Sequence, residues 1–505
     1  MSKRPADQSE DSPGALKSGE RPLQENGEEA LEFEDEFEDE FESEDDEILE
    51  AGVDGRPDEE REAEEREGAM DVDQDTFIPG RHKLAAGETL IADPSTYHMQ
   101  HNLSSEWPCL SLDIIRDGLG DNRKSYPATM YAVAGTQAEV RREKENKLMV
   151  MKLSGLSRTD KDQEGSESES ESEDEDADPI LEHKAIPLSS TTNRIRAHQC
   201  PQASSSQPPT TLTASMLENG QVLIHDITSH LTSFDTPGTS IPPSANKPVS
   251  TMRAHKNVEG YALDWSPHQA HASGTLLTGD NSGSIFKTTR HEAGSFATDS
   301  TPYTGHAGSV EEIQWSRSEP NVFASCGTDG CVKIFDTRSK SKKPALSVQV
   351  SDTDVNVMSW SHLTDYLLAS GQDDGEWAVW DLRQWKPSAA NKTKGATASV
   401  ANPKSTAVAS FSFHKEQITC LEWHPTDDSI IMAASGDNTL TLWDLAVELD
   451  DEESRDTAGV QDVPPQLLFV HYMEGVKEGH WHPQIPGAVM ATGSSGFGVF
   501  KTISV

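Results

Sequence analysis

The sequence is short of basic and apolar residues. Lysine and arginine together number 42 against 87 aspartates and glutamates, and only 34% of the residues are hydrophobic. A chain with so few cations lacks the basic surface that phosphate binding requires, so we expect no direct nucleic-acid partner and no attraction to an anionic membrane. No apolar run is long enough to span a bilayer, and the N-terminus lacks the apolar stretch of a signal peptide.

Cysteine is also scarce. The chain has five cysteines, an odd number, and no two of them form a CxxC pair. This pattern favours neither a disulfide framework nor a zinc site. We interpret the cysteines as reduced, mostly buried thiols of a nuclear or cytosolic protein, and we predict no metal site and no cofactor.

The acidic excess is concentrated in three segments. Residues 1–75 hold 31 acidic and 7 basic residues, residues 160–178 hold 11 and 1, and residues 448–456 hold 6 and 1. The rest of the chain is close to neutral. The sequence therefore predicts an ordinary folded body with three acidic attachments, of which residues 1–84 form a disordered acidic tail.

A tryptophan followed by turn-forming residues recurs along the body of the chain, at Trp265, Trp315, Trp360, Trp423 and Trp481. Each is followed by an apolar run, a Gly/Asp-rich turn and an alternating strand, which together predict a β-hairpin. One hairpin in each unit of about 40–60 residues is typical of a propeller blade. With another blade over 181–227 and a first blade over 109–153, the sequence predicts an all-β, seven-bladed propeller over 107–505 that an N-terminal strand closes.

These units resemble WD repeats. The dipeptide that names the family occurs at Trp380–Asp381 and Trp443–Asp444, and a Gly-His pair ends at His306. The resemblance implies a buried hydrogen-bonded set of histidine, serine, aspartate and tryptophan in a repeat. Its members would be His414, Ser435, Asp437 and Trp443 in one unit and His306 with Asp329 in another. Because buried polar groups must be paired wherever they occur, we interpret these sets as structural and not catalytic.

Residues 85–106 are predicted to form an N-terminal helical element. Asp93 can cap a helix with Pro94 in its first position, which would place Tyr97 and His101 on one face. The segment resembles the N-terminal region of the histone-binding WD proteins of chromatin assembly complexes. That resemblance rests on Tyr97, His101, Leu103, Glu106, Trp107, Pro108 and Leu110.

An acidic loop ending in Pro-Pro, over 446–466, adds to this resemblance. In the histone-binding relatives such a loop and the N-terminal helix form a groove for a basic helix. The resemblance implies a partner-binding groove made by Tyr97, His101, Asp450, Asp451, Glu452, Glu453, Pro464 and Pro465. The alternative is a solvated loop beside a helix that serves only the fold.

The acidic tail contains phenylalanines four residues apart. Phe33, Phe37 and Phe41 each precede an acid, Glu34, Glu38 and Glu42, so rings and carboxylates alternate in one segment. Such a segment can clamp a basic partner, with rings on apolar surface and carboxylates on lysine or arginine. The alternative is a tail that only increases solubility.

Several further segments are predicted to be loops. The tract 160–178 should emerge between the first and second blades, and segments 228–250 and 386–408 should be flexible inserts between blades. Serines with an acid three residues later match an acidophilic kinase of casein kinase II type. These phosphorylation candidates are Ser43, Ser166, Ser168, Ser170 and Ser172.

No nucleotide-binding loop or nucleophile–base arrangement occurs, so we predict a binding protein and not an enzyme. The propeller, the N-terminal element and the glutamate-rich tail together resemble the glutamate-rich WD-repeat family of ribosome biosynthesis regulators. This implies a monomeric chaperone of the nucleus and nucleolus that shuttles with the cytoplasm. It would deliver one basic large-subunit ribosomal protein, the third in standard naming, to pre-60S particles and their assembly factors. The alternatives are a histone-binding chromatin assembly chaperone and, from the WDxR-like ends at 335–338 and 380–383, a substrate receptor of a cullin-type ubiquitin ligase.

Overall fold

Seven antiparallel sheets form the blades of a β-propeller, as the sequence predicts. The computed structural model describes residues 90, 92–159, 178–200, 210–236, 238–385, 405–447 and 463–505. We number the blades 1 to 7 by the chain order of their innermost strands. Within each blade the strands run outward from the central channel, so that the first is innermost and the fourth is at the outer edge.

The strands are numbered β1 to β29 along the chain. Blade 1 contains β2 to β5, which span Cys109–Ile115, Ala128–Thr136, Lys147–Leu156 and Ile180–Pro187. Blade 2 contains β6 to β9, which span Thr192–Gln199, Thr211–Leu217, Val222–Asp226 and Ser250–Met252. Blade 3 contains β10 to β14, which span Ala262–Trp265, Thr275–Gly279, Ser284–Arg290, Phe296–Thr298 and Tyr303–Thr304. Blade 4 contains β15 to β18, which span Val310–Trp315, Val322–Gly327, Cys331–Asp336 and Leu346–Gln349.

The remaining three blades complete the ring. Blade 5 contains β19 to β22, which span Val355–Trp360, Leu367–Gln372, Trp377–Asp381 and Ala409–Phe411. Blade 6 contains β23 to β26, which span Ile418–Trp423, Ile430–Ser435, Thr439–Asp444 and Leu467–Tyr472. Blade 7 contains β27 to β29, which span Glu478–Trp481, Ala488–Gly493 and Gly496–Thr502, and its outer strand is β1, which spans Tyr97–Ser104.

Helical structure is sparse in the described part of the chain. One α-helix, α1, spans Thr228–Asp235. Short 3-10 helices span Pro94–Thr96, Val140–Glu145, Pro243–Asn246, Gln269–His271 and Leu382–Gln384. None of the described helices has the length and apolar character that crossing a bilayer would require.

The predicted N-terminal helix over 85–106 is wrong for the residues that the structure describes. Asp93 does cap a turn, since its carboxylate accepts a hydrogen bond from the Ser95 amide at 2.9 Å, but that turn is three residues long. The chain then becomes extended and forms β1, which pairs antiparallel with β29 and closes the ring. Burial alternates between Tyr97, Met99 and their neighbours, and this period of two suits a strand better than a helix. The predicted closure by an N-terminal strand is confirmed.

The predicted blade boundaries also need correction. Residues 180–187 are the outer strand of blade 1, so blade 2 begins at residue 192 and not at 181. The acidic insert therefore joins the third and fourth strands of blade 1 and does not lie between blades. The segments 228–250 and 386–408 likewise join third and fourth strands, in blades 2 and 5, and the first of them contains α1. Short, polar fourth strands carry little hydrophobic signal, which is why the sequence does not reveal them.

The core consists of seven apolar clusters, one between each pair of neighbouring blades. In the cluster between blades 7 and 1, for example, Met99 and Met490 meet Leu112 and Met151. A blade is buried on both faces only when both of its neighbours are present. Each cluster therefore depends on closure of the ring.

A second device fastens the inner strands to one another. In most blades a polar side chain of the first strand accepts a hydrogen bond from a backbone amide of the next blade's first strand. The pairs are Asp113 with Ala197 at 2.7 Å, Asp264 with Trp315 at 2.8 Å, Gln314 with Trp360 at 2.8 Å, Ser359 with Trp423 at 3.2 Å, Glu422 with Trp481 at 3.2 Å and Glu478 with Leu112 at 2.9 Å. These bonds fix the register between neighbouring blades, since each amide accepts only one placement of its partner.

Candidate partner-binding surface

One face of the propeller carries the long inserts, and we call it the insert face. In an antiparallel blade the connections between strands one and two and between strands three and four lie at the same end. The inserts at 160–177, 227–249, 386–404 and 448–462 all join third to fourth strands, so they all leave from this face. The chain also reaches β1 here, because β1 is the fourth strand of blade 7. The sequence's acidic segments thus attach to three consecutive blades, 6, 7 and 1.

Hydrogen bonds join these attachment points. The Thr159 amide, at the start of the blade 1 insert, donates to the His98 carbonyl at 3.0 Å. His101 Nε2 lies 2.9 Å from the Ser157 carbonyl oxygen, which holds the same segment against β1. On its other side β1 meets blade 6, where Tyr97 contacts Phe469 at a ring separation of 5.2 Å. Therefore β1 bridges the bases of the two acidic inserts.

Tyr97, which the sequence places in the groove, is buried. Its residue is only 3% exposed, and its hydroxyl lies 2.8 Å from His471 Nδ1. Its ring also packs edge-on against Phe469 and Phe500. Burial lowers the pKa of His471 to about 4, so the imidazole is neutral near pH 7 and can accept the tyrosine proton. Tyr97 fastens β1 to blade 6 beneath the surface.

We expect Tyr97→Phe to lower the free energy of unfolding by about 1–3 kcal/mol, because it leaves His471 Nδ1 buried without a partner. The ring contacts remain, so partner binding at temperatures where the variant is folded should not change. Urea unfolding and a binding titration on the same preparation test this. A loss of binding at unchanged stability would instead place Tyr97 in direct contact with the partner.

The apolar wall of the candidate groove is β26. Leu467, Leu468, Phe469 and Val470 are all half-buried, although an outer strand usually exposes one polar face. Leu468 and Phe469 pack with Ala92 over the core between blades 6 and 7. The strip between the start of β1 and β26 is thus apolar and partly open to solvent.

The Pro-Pro sequence lies where the blade 6 insert returns to the sheet. Pro464 is half-buried and Pro465 is exposed, and the Pro464 carbonyl accepts a hydrogen bond from the Leu467 amide at 3.0 Å. Gln466 closes the neck of the insert, because its side-chain amide donates to the Val447 carbonyl at 3.0 Å. The structure therefore brings Pro464 and Pro465 to the same strand that Tyr97 contacts.

The other predicted binding residues lie outside the described part of the chain. This holds for the acidic groove residues Asp450, Asp451, Glu452 and Glu453, and for the clamp residues Phe33, Glu34, Phe37, Glu38, Phe41 and Glu42. It also holds for the phosphorylation candidates Ser43, Ser166, Ser168, Ser170 and Ser172. Their roles stay predictions.

The WD-repeat hydrogen-bond sets are present, with one substitution. His306 lies 3.0 Å from Asp329 and 2.7 Å from Ser325, as the resemblance implies. His414 lies 3.0 Å from Asp437, but its other nitrogen lies 2.9 Å from Thr441, which also accepts from Trp443. Ser435 instead donates to the Glu416 carbonyl at 2.9 Å. Each imidazole joins neighbouring strands of a blade, which is a structural role.

The sequence gives no indication of a charged network in the central channel. A cavity of about 300 Å³ is lined by arginine, histidine and carboxylate side chains from the first strands of most blades. Glu478 accepts from Arg194 at 2.6 Å and from Arg196 at 2.7 Å, and Arg194 also pairs with Glu312 at 3.0 Å. Arg194 and Glu478 are 284 residues apart, so no local motif reveals the pair.

His480 lies between two carboxylates of this network. It is 3.0 Å from Glu422 and 3.6 Å from Glu478. Burial alone would lower the pKa of His480, but the charges and hydrogen bonds of Glu422 and Glu478 outweigh it and raise the pKa to about 10. The imidazole is therefore protonated at neutral pH and acts as a third cation beside Glu478.

This assignment predicts a loss of stability at alkaline pH. Since the folded pKa lies above the unfolded value of 6.5, the contribution is complete below pH 6.5 and falls as pH rises toward 10. Between pH 6.5 and 8.5 we expect the free energy of unfolding to fall by about 2 kcal/mol in excess of a His480→Gln variant. Urea unfolding at several pH values measures the difference. Parallel pH profiles for the two proteins would show that His480 does not carry this proton.

The two WDxR-like ends lie exposed on the insert face of blades 4 and 5. Arg383 donates to Asp381 at 2.8 Å and stacks 3.5 Å above the ring of Tyr366. Arg338 pairs with Asp336 at 2.7 Å. Each arginine is thus held by the aspartate two residues before it.

Comparison with known proteins agrees with this architecture. Residues 87–157 match the family of histone-binding protein RBBP4 and the CAF1 complex. Residues 298–336 and 405–444 match the WD domain, G-beta repeat. The first match covers β1 and the inner three strands of blade 1, which include the bridge between the attachment points.

Three curated relatives align over most of their length. The chain is 44% identical to ribosome assembly protein rrb1 of Schizosaccharomyces pombe, over 94% of this chain and 93% of the relative. It is 39% identical to Protein HEAT STRESS TOLERANT DWD 1 of Arabidopsis thaliana, over 85% and 91%. It is 38% identical to glutamate-rich WD repeat-containing protein 1 of Dictyostelium discoideum, over 84% of both chains. The chain belongs to this family of glutamate-rich WD-repeat proteins.

Proposed function

We propose that the protein is a ribosome biogenesis factor, a chaperone that binds a basic large-subunit ribosomal protein, the third in standard naming, and delivers it to nascent pre-60S particles. The observation that carries the proposal is the attachment of acidic segments to three consecutive blades on one face, beside an apolar strip. The similarity to a relative named as a ribosome assembly protein supports it. The chain would act as a binding scaffold and not as an enzyme.

The physical chemistry suits such a client. A free ribosomal protein is strongly basic and exposes surface that belongs against rRNA, so it aggregates or binds the wrong nucleic acid. An acidic partner neutralises that surface and accelerates capture by long-range attraction. The half-buried residues Leu468 and Phe469 would add apolar contact that charge alone does not supply. Release follows on the pre-60S particle, because rRNA is the denser polyanion. This role places the protein in the nucleus and nucleolus, shuttling with the cytoplasm.

Deletion of residues 28–50 tests the proposed clamp. This segment holds 15 acidic residues and no basic residue. Its loss should weaken binding of the purified ribosomal protein about tenfold or more at low salt and should flatten the salt dependence. Residues 1–23 are an equally long control with four acidic and four basic residues, and their deletion should leave binding unchanged. Unchanged low-salt binding without 28–50 would show that the tail is not a clamp.

A histone-binding chromatin assembly chaperone is the second candidate. The match of residues 87–157 to the histone-binding family favours it. Charge logic is the same for both clients, so the discriminating measurement is competition. We expect the ribosomal protein to displace histones H3–H4 from the chain at equal concentration. Displacement in the opposite direction would favour chromatin assembly.

A substrate receptor of a cullin-type ubiquitin ligase is the third candidate. The exposed Arg383 and Arg338 on adjacent blades favour it, whereas their pairing with Asp381 and Asp336 suits a merely structural strand end. Adaptor binding by the purified protein that disappears in Arg383→Ala would support this candidate. Absence of adaptor binding by the unaltered protein would remove it.

A further inference from the structure

A small basic patch lies on the insert face where blades 7 and 1 meet. It consists of Lys124 from the connection between β2 and β3, Arg158 just after β4, and Lys501 near the end of β29. Lys124 and Arg158 are exposed and Lys501 is half-buried. Pairing of Ala128 with Leu156 places the segments that carry Lys124 and Arg158 at the same end of the sheet. Burial and the nearby Lys124 ammonium lower the pKa of Lys501, which agrees with their proximity.

The carboxylates of the same connection do not neutralise this patch. Asp117 is paired with Arg123 at 2.8 Å, and Asp121 is paired with Arg116 at 2.6 Å. Lys501 donates to the Pro486 carbonyl at 2.7 Å and not to a carboxylate. Among the described residues, none of the three cations of the patch forms an ion pair. On a chain with a net charge of −45, three such cations at one place are unusual.

The blade 1 insert starts and ends beside this patch. Arg158 is two residues before the insert, and the hydrogen bond from Thr159 to His98 fixes its first end. The second end returns at Asp178, which leads into β5. Between them, residues 160–177 contain ten acidic residues and one lysine. A tether this short gives the segment an effective concentration near the patch on the order of millimolar.

We propose that the acidic insert 160–177 docks on the Lys124–Arg158–Lys501 patch of its own propeller. The occupant is fixed by complementary charge and by attachment of both its ends at the patch. Phosphates on Ser166, Ser168, Ser170 and Ser172 would add negative charge to the docked segment and tighten it. Docking neutralises cations that would otherwise repel a basic partner on the neighbouring blades. The inference does not depend on the identity of any client.

Zero-length carbodiimide cross-linking of the full chain, without any client, tests the inference, because this reagent joins a lysine amine to a carboxylate only when they touch. We expect cross-links from Lys124 and Lys501 to acidic residues of 160–177. Lys184 on β5, which the insert can also reach, should give few, and Lys415 on the opposite face should give none. Salt at about 1 M should suppress the links, since screening acts within about 3 Å there. Arg158→Gln, which keeps both reactive lysines, should lower their yield about threefold.

Mixing isotopically light and heavy protein separates links within one chain from links between chains. Links within one chain that favour the patch and disappear with salt support the inference. Equal yield at Lys184, links mainly between chains, or preferential links from Lys124 to residues 1–78 would overturn it. None of these results bears on whether the ribosomal protein binds, so the function proposed above can fail while this inference holds, and the reverse.

Discussion

Glu478→Ala should be among the most destabilising single substitutions in the propeller, lowering the free energy of unfolding by roughly 3–5 kcal/mol. Glu478 is 1% exposed and accepts hydrogen bonds from Arg194, Arg196 and the Leu112 amide. These charges hold the pKa of Glu478 well below its usual range, despite the opposing effect of burial. Its loss leaves two buried guanidinium groups and a protonated His480 with too few counter-charges, and it opens the junction between blades 7 and 1.

Glu478→Gln separates charge from hydrogen bonding. The amide oxygen can still accept from Leu112, but the negative charge is gone, so the loss should be smaller than for alanine and still exceed about 2 kcal/mol. Urea unfolding at pH 7 measures both variants. Glu376→Gln, on an exposed turn of blade 5, serves as the control and should change stability by less than about 0.5 kcal/mol. If Glu478→Ala matched this control, the channel network would not hold the ring together.

Reversing Asp450, Asp451, Glu452 and Glu453 to lysine should abolish binding of the basic ribosomal protein, with a loss of affinity of about 100-fold or more at low salt. The change replaces attraction with repulsion directly beside the apolar strip of β26, where the proposed groove lies. The fold should survive, because the insert joins two strands whose pairing does not involve these residues. Titration of the purified client at two salt concentrations measures the effect.

A matched reversal on the opposite face controls for net charge. Asp373, Asp374, Glu376 and Glu416 are exposed on connections at that end of blades 5 and 6. Changing them to lysine alters the total charge equally but should lower affinity no more than about threefold, since screening weakens attraction beyond a Debye length of about 8 Å. Full retention of binding in the insert variant, with loss in this control, would move the site to the opposite face.

The sequence predicts the blades well because each hairpin is encoded locally. The Gly/Asp turns and alternating strands of blades 3 to 7 correspond to observed strand pairs such as β24 with β25. Outer strands escape prediction because they are short and polar, as at Ala409–Phe411. At Asp93–Pro94 the local helix-start signal is real but is overridden after one turn, since pairing of β1 with β29 satisfies the backbone and buries Tyr97 and Met99.

The candidate site is only partly legible in the sequence for a related reason. Proximity of Tyr97 to the Pro-Pro loop follows from family resemblance, but its burial depends on His471 and Phe500, which are distant in the chain. The channel network is invisible because its members sit alone on separate strands. What the sequence alone supplies is charge, and the topology shows that the acidic segments attach to neighbouring blades. Composition by itself could not show this.

The most direct test is to isolate the tagged protein from nuclease-treated extract and to quantify its bound partners, alongside the variant with lysines at 450–453. The account predicts one basic large-subunit ribosomal protein in stoichiometric amount, no other ribosomal protein at a similar level, and loss of that partner from the variant. Histones in stoichiometric amount with the ribosomal protein absent, or a partner that the variant retains in full, would contradict it.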